Sequence, residues 1–158
     1  MLNGFPPIES PESKILILGT GPSVRSLQKQ QYYGHERNAF WPIMAALLGG
    51  SIETYEQKWD LLLGHDIALW DVLAKFERKG SSDAAYTLSV ANDIRAFLTE
   101  HVQIDRVFFN GQKAQSLYRK LIAYEPVGVR FCVLPSTSPA YTLPFQEKCM
   151  RWQEALSL

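Results

Sequence analysis

The residues best suited to chemistry lie in one run near the start of the chain, ILILGTGPSVRSLQKQQYYGHERNAFW, which covers residues 15–41. An apolar strand at 15–18 ends at the small-residue turn 19–23 (GTGPS). A strand that ends this way presents backbone N–H groups at the carboxyl edge of a sheet, where α/β proteins bind ligands. A loop with aromatic, imidazole, guanidinium and amide side chains follows: Tyr32, Tyr33, His35, Arg37 and Asn38. Because aromatic rings beside an amide can hold a planar, hydrogen-bonding heterocycle, the run predicts a nucleobase pocket.

The turn itself does not match the common phosphate-binding signatures. A dinucleotide fingerprint requires glycine at its first, third and sixth positions. Gly19 and Gly21 fit the first two, but Val24 occupies the sixth, and Pro22 stiffens the turn. No Gly-Lys-Ser/Thr run of the P-loop kind occurs. The turn is therefore either a tight connection or a backbone nest that contacts a base or an oxyanion.

A second polar segment, LPSTSPA at 134–140, follows an apolar strand predicted at 129–134. It should therefore lie at the same sheet edge as the turn. Small hydroxyl residues between prolines form a stiff loop that can approach a DNA backbone and donate to phosphate oxygens. The alternative interpretation is a proline-rich connection to the last helix.

Composition narrows the class of protein. A chain of 158 residues with 46% hydrophobic and 20% charged residues is an ordinary globular domain that buries about 70% of its unfolded surface. Sixteen basic residues balance sixteen acidic ones, which argues against a protein that coats nucleic acid by bulk charge. Two cysteines are too few for a disulfide framework or a four-cysteine cluster. With neither an export signal nor a membrane-length apolar run, we expect a cytoplasmic protein.

The hydrophobic pattern alternates between strand and helix. Strands are predicted at 15–18, 67–70, 106–110 and 129–134, and helices at 38–48, 54–64, 112–124 and 145–156. Val90, Ile94, Phe97 and Leu98 have the spacing of a further amphipathic helix. The polar stretch 75–89, which contains GSSD at 80–83, is predicted to be a long surface loop. This alternation indicates a mainly parallel sheet covered on both faces, in one domain spanning 1–158.

Together, GTGPS, Tyr33 and LPSTSPA resemble the motifs of the uracil-DNA glycosylase superfamily, and most closely its hypoxanthine (deoxyinosine) DNA glycosylase branch. Tyr33 and residues 38–41 (NAFW) reproduce the aromatic and Asn-x-Phe-Trp spacing of the mismatch-specific and thymine glycosylases. Residues 108–115 (FFNGQKAQ) lie where the family has a strand followed by a Gly–Lys helix start. The resemblance covers nearly the whole chain. It implies an α/β fold, a three-layer αβα sandwich with a central, mainly parallel four-stranded sheet.

Three departures from the family pattern carry information. Gly21 replaces an Asp or Asn that positions water, Trp70-Asp71 replaces a uracil-reading Asn, and Leu134 replaces a His. The departures match the hypoxanthine branch, which relies on the Asn of its H-x-R-N segment, here Asn38. We expect Asp71 to be an exposed or capping carboxylate, or else to orient water or a purine N–H. Asp66 is a second such candidate.

The resemblance implies a role for each motif residue. Asn38 is the predicted catalytic residue, with helix capping as its alternative, and Tyr33 stacks on a flipped base unless it merely packs on the loop. The predicted base contacts are Gly19, Thr20, Gly21, Tyr33, Asn38 and Ser136. The predicted DNA contacts are Ser136, Thr137, Ser138, Pro139, Ala140 and Lys113, with Arg25, Arg37 and His35 as weaker candidates. No metal or cofactor is expected.

The expected activity is that of a monofunctional, monomeric DNA glycosylase that removes hypoxanthine from double-stranded DNA by hydrolysis. No lysine lies in an evident nucleophile position, which argues against a Schiff-base mechanism. A uracil or mismatch-uracil glycosylase is the alternative on the same fold. A catalytically silent nucleic-acid-binding or nucleotide-binding module is a third interpretation. It stays open because Gly21 stands where the family has its water-positioning residue.

Overall fold

The computed structural model describes residues 1–78 and 86–157, with helices and strands that largely alternate along the chain. In chain order these are β1 (Leu2–Asn3), β2 (Ile15–Gly19), α1 (Val24–Lys29), α2 (Phe40–Leu48), α3 (Tyr55–Leu63), β3 (Ile67–Asp71), β4 (Leu73–Arg78), β5 (Tyr86–Ala91), α4 (Ile94–Glu100), β6 (Arg106–Asn110), α5 (Gln112–Leu121), β7 (Arg130–Leu134) and α6 (Phe145–Leu156). No helix in these two ranges is long and apolar enough to cross a membrane.

The central sheet has four strands in the order β3-β2-β6-β7, and every neighbouring pair is parallel. Gly19 lies opposite Asp71, and Asn110 lies opposite Leu134, so the strands end at nearly the same level. The carboxyl ends of all four strands therefore open on one edge, as a parallel sheet requires. This confirms the predicted α/β class and the parallel four-stranded sheet.

Helices cover both faces of this sheet because its inner strands, β2 and β6, are apolar on both sides. Ile15 and Ile17 pack with side chains of α2, α3 and α6, whereas Leu16 and Leu18 pack with side chains of α4 and α5. All five residues of β2 are buried, which is typical of the inner strand of a parallel sheet. The three-layer arrangement is confirmed.

Several predicted boundaries are confirmed, and others move by a few residues. The strand at Arg106–Asn110 and the helix at Phe145–Leu156 agree to the residue. The second helix ends at Gly49, whose φ of 71° is the left-handed conformation that glycine adopts readily. The helix predicted at 112–124 ends at Leu121 instead, because the backbone leaves helical geometry at Ile122.

The predicted loop at 75–89 is wrong where the structure describes it. β4 and β5 pair antiparallel, and with β1 they form a second, three-stranded sheet that was not predicted. The loop was predicted from the polar composition of this stretch, and the polar residues Lys75, Glu77 and Thr87 are exposed on the strands. The GSSD run lies outside the described residues.

The helix expected to begin near Val90 is also misplaced. Val90 belongs to β5 and is 47% exposed, while α4 begins at Ile94. Asp93 starts that helix, since its side chain accepts a hydrogen bond from the Ala96 N–H at 3.0 Å. The helical spacing of Val90 with the later apolar residues was therefore a coincidence.

A short helix, α1, replaces part of the predicted loop after the turn. Ser23 caps it, because its hydroxyl oxygen accepts from the Ser26 N–H at 3.1 Å. The helix has only six residues with no regular apolar stripe, so the sequence carried no periodic signal for it.

Candidate active site

A cavity of about 690 Å³ opens at the carboxyl edge of the central sheet. All the site residues predicted from the motifs line it, namely Gly19, Thr20, Gly21, Tyr33, Asn38, Lys113, Ser136, Thr137, Ser138, Pro139 and Ala140. The turn after β2, the loop before α2 and the loop after β7 thus meet at one place. Their individual roles stay predictions.

The Tyr33 ring is held firmly at the cavity wall. It stacks on Phe40, with ring centroids 4.3 Å apart and an interplanar angle of 25°. The next residue, Gly34, donates its N–H to the Ser26 hydroxyl oxygen at 2.9 Å, which ties the loop to α1. Tyr33 itself has a φ of 51°, a conformation that needs this support. The ring is therefore pre-positioned against the cavity.

Tyr32 is more deeply buried than its neighbour Tyr33. It is 3% exposed, and its hydroxyl donates to the Pro6 carbonyl at 2.8 Å. Burial, and to a lesser extent the charge of Asp71, raises the pKa of Tyr32 well above its ordinary value. Tyr32 is thus a core residue that anchors the amino-terminal segment, and it also lines the cavity.

Asn38 bonds the backbone at the start of the following helix and lines the cavity. Its side-chain oxygen accepts from the Phe40 N–H at 2.9 Å, and its own N–H donates to the His35 carbonyl at 3.0 Å. Because the oxygen is engaged by the backbone, the orientation of the amide is set and its NH₂ group is the end that can donate to a ligand. The N-cap of α2 is Ala39, so Asn38 lies one residue before the position that the capping alternative gave it. Its oxygen holds the N–H of the first helical residue, and its catalytic role stays a prediction.

Thr137 joins the cavity loops together. Its N–H donates to the Asn110 side-chain oxygen at 3.0 Å, and the Asn110 amide donates back to the Thr137 hydroxyl at 2.9 Å. Its carbonyl accepts from the Ala39 N–H at 3.0 Å. Thr137 is 1% exposed and its polar groups are used inside the protein. We therefore assign it a positioning role in place of the predicted DNA contact.

We expect Asn110→Ala to loosen the loop after β7. The change leaves the buried N–H and hydroxyl of Thr137 without their partner, at a cost of about 1–3 kcal/mol in unfolding free energy. Chemical denaturation measures this cost, and KM for a DNA substrate should rise more than kcat falls. Asn110→Asp retains an acceptor for the N–H and should be milder. A KM equal to that of the unchanged protein would contradict the positioning role of Thr137.

The remaining loop residues keep groups that can face DNA. The hydroxyl oxygens of Ser136 and Ser138 accept from the N–H groups of Ser138 and Ala140, which leaves each O–H as a donor. Pro139 and Ala140 are exposed, and so is Lys113 in the first turn of α5. These positions are compatible with the predicted DNA contacts, which stay predictions.

Lys148 was missed by sequence reasoning, because a lysine in a helix ordinarily faces solvent. It is 4% exposed, and its ammonium group donates to the Ser138 carbonyl at 3.1 Å. Burial lowers its pKa. Lys148 thus supports the loop after β7 from α6.

The glycines of the turn after β2 are not used for a left-handed backbone, since neither Gly19 nor Gly21 has a positive φ. Gly19 is needed for space instead, since a Cβ there would lie 2.6 Å from Asp71 Oδ1 and 2.7 Å from the Tyr33 hydroxyl oxygen. The Asp71 carboxylate and the Tyr33 ring therefore both lie next to Gly19.

Asp71 is a buried carboxylate of the cavity, not the exposed or capping residue taken as its default. It is 3% exposed and lines the cavity at the end of β3. The register of β2 and β3 places it opposite Gly19. Asp66, in contrast, precedes β3 at the opposite edge and lies 3.9 Å from Lys14 Nζ.

Arg25 was a weaker candidate for a DNA contact, and in the structure it forms an ion pair. Arg25 donates to Glu36 at 2.7 Å, so its guanidinium is engaged away from the predicted phosphate contact. A backbone hydrogen bond and those from Arg25 and Lys29 lower the pKa of Glu36 to about 2.

Phe5, which no motif indicated, also lines the cavity. Its segment is held there because the carbonyls of Phe5 and Pro6 accept hydrogen bonds from the side chains of Trp70 and Tyr32.

Comparison with known proteins agrees with this fold. The model of the uracil DNA glycosylase superfamily matches residues 6–157, so the chain belongs to that superfamily. A hypoxanthine DNA glycosylase of Methanosarcina barkeri is 30% identical over 158 residues, which covers 96% of each chain. A hypoxanthine DNA glycosylase of Methanosarcina acetivorans is 36% identical over 143 residues, covering 87% of this chain and 86% of that one.

A solved structure extends the likeness to three dimensions. The solution NMR structure of a candidate uracil DNA glycosylase from Methanosarcina acetivorans superposes with a TM-score of 0.79 at 32% identity. The match covers 96% of this chain and 94% of that one. The fold and the family predicted from the motifs are thereby confirmed.

Proposed function

We propose that this chain is a monofunctional DNA glycosylase that flips hypoxanthine out of DNA and removes it by hydrolysis, in base excision repair. The observation that carries the proposal is the meeting of Tyr33, Asn38 and the serines of residues 134–140 around one cavity. The two Methanosarcina relatives named as hypoxanthine DNA glycosylases support the choice of base. The active unit is a monomeric domain of residues 1–158, acting in the cytoplasm on duplex DNA.

Binding begins with extrusion of the damaged nucleotide, because a base inside the stack cannot be attacked. Extrusion costs a few kcal/mol, and stacking of the base on the Tyr33 ring returns about 1–3 kcal/mol. Ser136 and Ser138 would donate to phosphates beside the flipped nucleotide, and Lys113 would add a cation at the rim. Pro139 and Ala140 would fill the gap left in the stack.

The chemical step separates charge. As the bond between C1′ and N9 breaks, positive charge grows on the sugar and negative charge on the departing purine. Water adds its hydroxyl group to C1′, and the remaining proton of that water ends on the released base. The Asn38 NH₂ group would donate to the purine as its negative charge grows, which is transition-state stabilisation by a fixed dipole. This neutral amide needs no shifted pKa to act.

A uracil glycosylase is the second candidate, because the Methanosarcina acetivorans structure is described as a candidate of that kind. Hypoxanthine and uracil both present a ring N–H beside a carbonyl. The same cavity could therefore accept either base, and both are used as substrates in the test. The preference between them is decided by direct comparison.

The test uses DNA duplexes that each carry a single deoxyinosine or deoxyuridine, with matched single strands as a second set. Abasic products are cleaved with alkali and quantified. We expect release from the deoxyinosine duplex. Release from the deoxyuridine duplex alone would replace the proposal by the uracil alternative. No release from any substrate, with retained DNA binding, would indicate a silent binding module.

A further inference from the structure

A second cavity, of about 460 Å³, lies beside the base cavity and is not used by the mechanism above. It opens between the start of α2 and the start of α6. Asn38, Pro139 and Tyr141 line both cavities, so the two are continuous. Its volume is within the range of about 300–1,000 Å³ that is typical of small-molecule sites. A DNA strand whose damaged nucleotide occupies the base cavity therefore has a neighbouring nucleotide close to the second cavity.

A buried ammonium group lines the second cavity. Lys148 is only 4% exposed, and its Nζ donates to the Ser138 carbonyl at 3.1 Å. Within residues 1–78 and 86–157, this is its one hydrogen bond, and none of the ion pairs involves Lys148. An ammonium group has three N–H donors, and burying its charge is costly unless it is paired. The remaining donors of Lys148 therefore favour an anionic ligand in this cavity.

The other charges around the second cavity also favour an anion. Arg37 is exposed and lines the cavity, and its guanidinium forms no ion pair in the part of the chain that the structure describes. Glu36 lines the cavity too, but its carboxylate lies 2.7 Å from Arg25 Nε and 3.2 Å from Lys29 Nζ. Because those two cations compensate Glu36, Lys148 and Arg37 leave a positive charge that suits a phosphodiester.

Two exposed aromatic side chains line the same cavity. Tyr141 is 42% exposed and Phe145 is 45% exposed. Exposed rings beside cations are typical of grooves on which the bases of single strands stack. Lys148 Nζ lies 5.5 Å from the centroid of the Tyr141 ring. A base stacked on Tyr141 would therefore have its phosphate within reach of the ammonium group.

We propose that the second cavity is a subsite for the nucleotide next to the flipped one; this rests on the function proposed above. The phosphate of that nucleotide lies at Lys148 and Arg37, and its base stacks on Tyr141. In a duplex the neighbouring base is held by its own pair and stack, whereas in a single strand it can rotate onto the ring. The subsite therefore contributes most to the recognition of single-stranded DNA, and it accepts any base because every base has a face that can stack.

The test measures Kd for single strands that carry one 2′-fluoro-deoxyinosine, because the fluorine disfavours positive charge on the sugar and prevents base loss during the titration. One strand has normal neighbours, and in two others a tetrahydrofuran abasic analogue replaces the 5′ or the 3′ neighbour. We expect one replacement to raise Kd by about 5-fold to 100-fold, the range for loss of one stacked base. Tyr141→Leu, which keeps an apolar side chain without a ring, should bring the three strands within about twofold. Its Kd for the matched duplex should stay within about threefold of the original.

Arg37→Gln tests the phosphate contact, and it is used in place of a change at Lys148 because Lys148 also supports the loop after β7. The slope of log Kd against log salt concentration should fall by about 0.7, the value for one phosphate contact on a single strand. Arg119→Gln is the matched control, since Arg119 is an exposed arginine in the last turn of α5 that lines neither cavity. It should leave the slope unchanged.

Equal Kd values of the unchanged protein for all three strands would overturn the inference. An equal rise for all three strands in Tyr141→Leu would overturn it as well, because the ring would then have only a structural role. Equal slopes for Arg37→Gln and Arg119→Gln would remove the phosphate from this cavity. Hypoxanthine release is measured separately on deoxyinosine strands. The proposed function can therefore fail in that assay while the titration still decides whether the subsite exists.

Discussion

Asn38→Ala is expected to lower hypoxanthine release by at least about 100-fold, while affinity for duplex DNA stays within about threefold of the original. The factor is typical for removal of one fixed donor that stabilises developing negative charge. Affinity should persist because the serines of the loop after β7 and Lys113 line the cavity independently of Asn38. Single-turnover release from a deoxyinosine duplex and a binding titration measure the two quantities.

Asn38→Ser is the matched control, because the Asn38 oxygen also accepts from the Phe40 N–H at the start of α2. Serine supplies a capping oxygen but no amide, whereas alanine supplies neither. We expect both variants to be equally inactive, with alanine alone losing about 1 kcal/mol of unfolding free energy. Full release by the serine variant would show that Asn38 only caps the helix and that the catalytic residue lies elsewhere.

Gly19→Ala is expected to reduce release at least about tenfold, with a stability loss of about 1–3 kcal/mol. Its backbone conformation suits alanine, so the effect is one of space. The added methyl group would lie 2.6 Å from Asp71 Oδ1 and 2.7 Å from the Tyr33 hydroxyl oxygen, and both groups must move. Release kinetics, thermal unfolding and DNA affinity separate damage to the site from damage to the fold.

Gly50→Ala gives a control for this steric change outside the cavity. A Cβ at Gly50 would lie 2.5 Å from Leu61 Cδ1, which is as close a contact as the one at Gly19. It should cost stability but leave kcat unchanged. Equal loss of activity in the two glycine variants would mean that general strain, not displacement of Asp71 and Tyr33, explains the Gly19 result.

The order of strands and helices could be predicted because each buried strand of the central sheet is a short apolar run between helical patterns. Arg106–Asn110 and Phe145–Leu156 agree with the structure to the residue for this reason. The second sheet could not be predicted in the same way. β4 exposes Lys75 and Glu77 and β5 exposes Thr87, and such polar strands have the composition of a loop.

The motif residues were predictable because their types are unusual at the ends of apolar strands. Once Gly19 and residues 134–140 are placed after parallel strands, they must share one sheet edge. Contacts between distant segments were not predictable. The bonds that join Thr137 to Asn110 and to Ala39 link three loops far apart in sequence, and they turn a predicted DNA contact into a support.

The sequence by itself therefore determined the fold class, the edge at which the site lies and the identity of its motif residues, because strand hydrophobicity and turn chemistry are local properties. Only the tertiary structure decided how each side chain is used. Packing decides whether Thr137 faces DNA or the core and whether Asp71 is buried in the cavity. A bond from the backbone decides which end of the Asn38 amide can donate. The pairing of Gly19 with Asp71 across two parallel strands is the clearest case, since register exists only in the folded sheet.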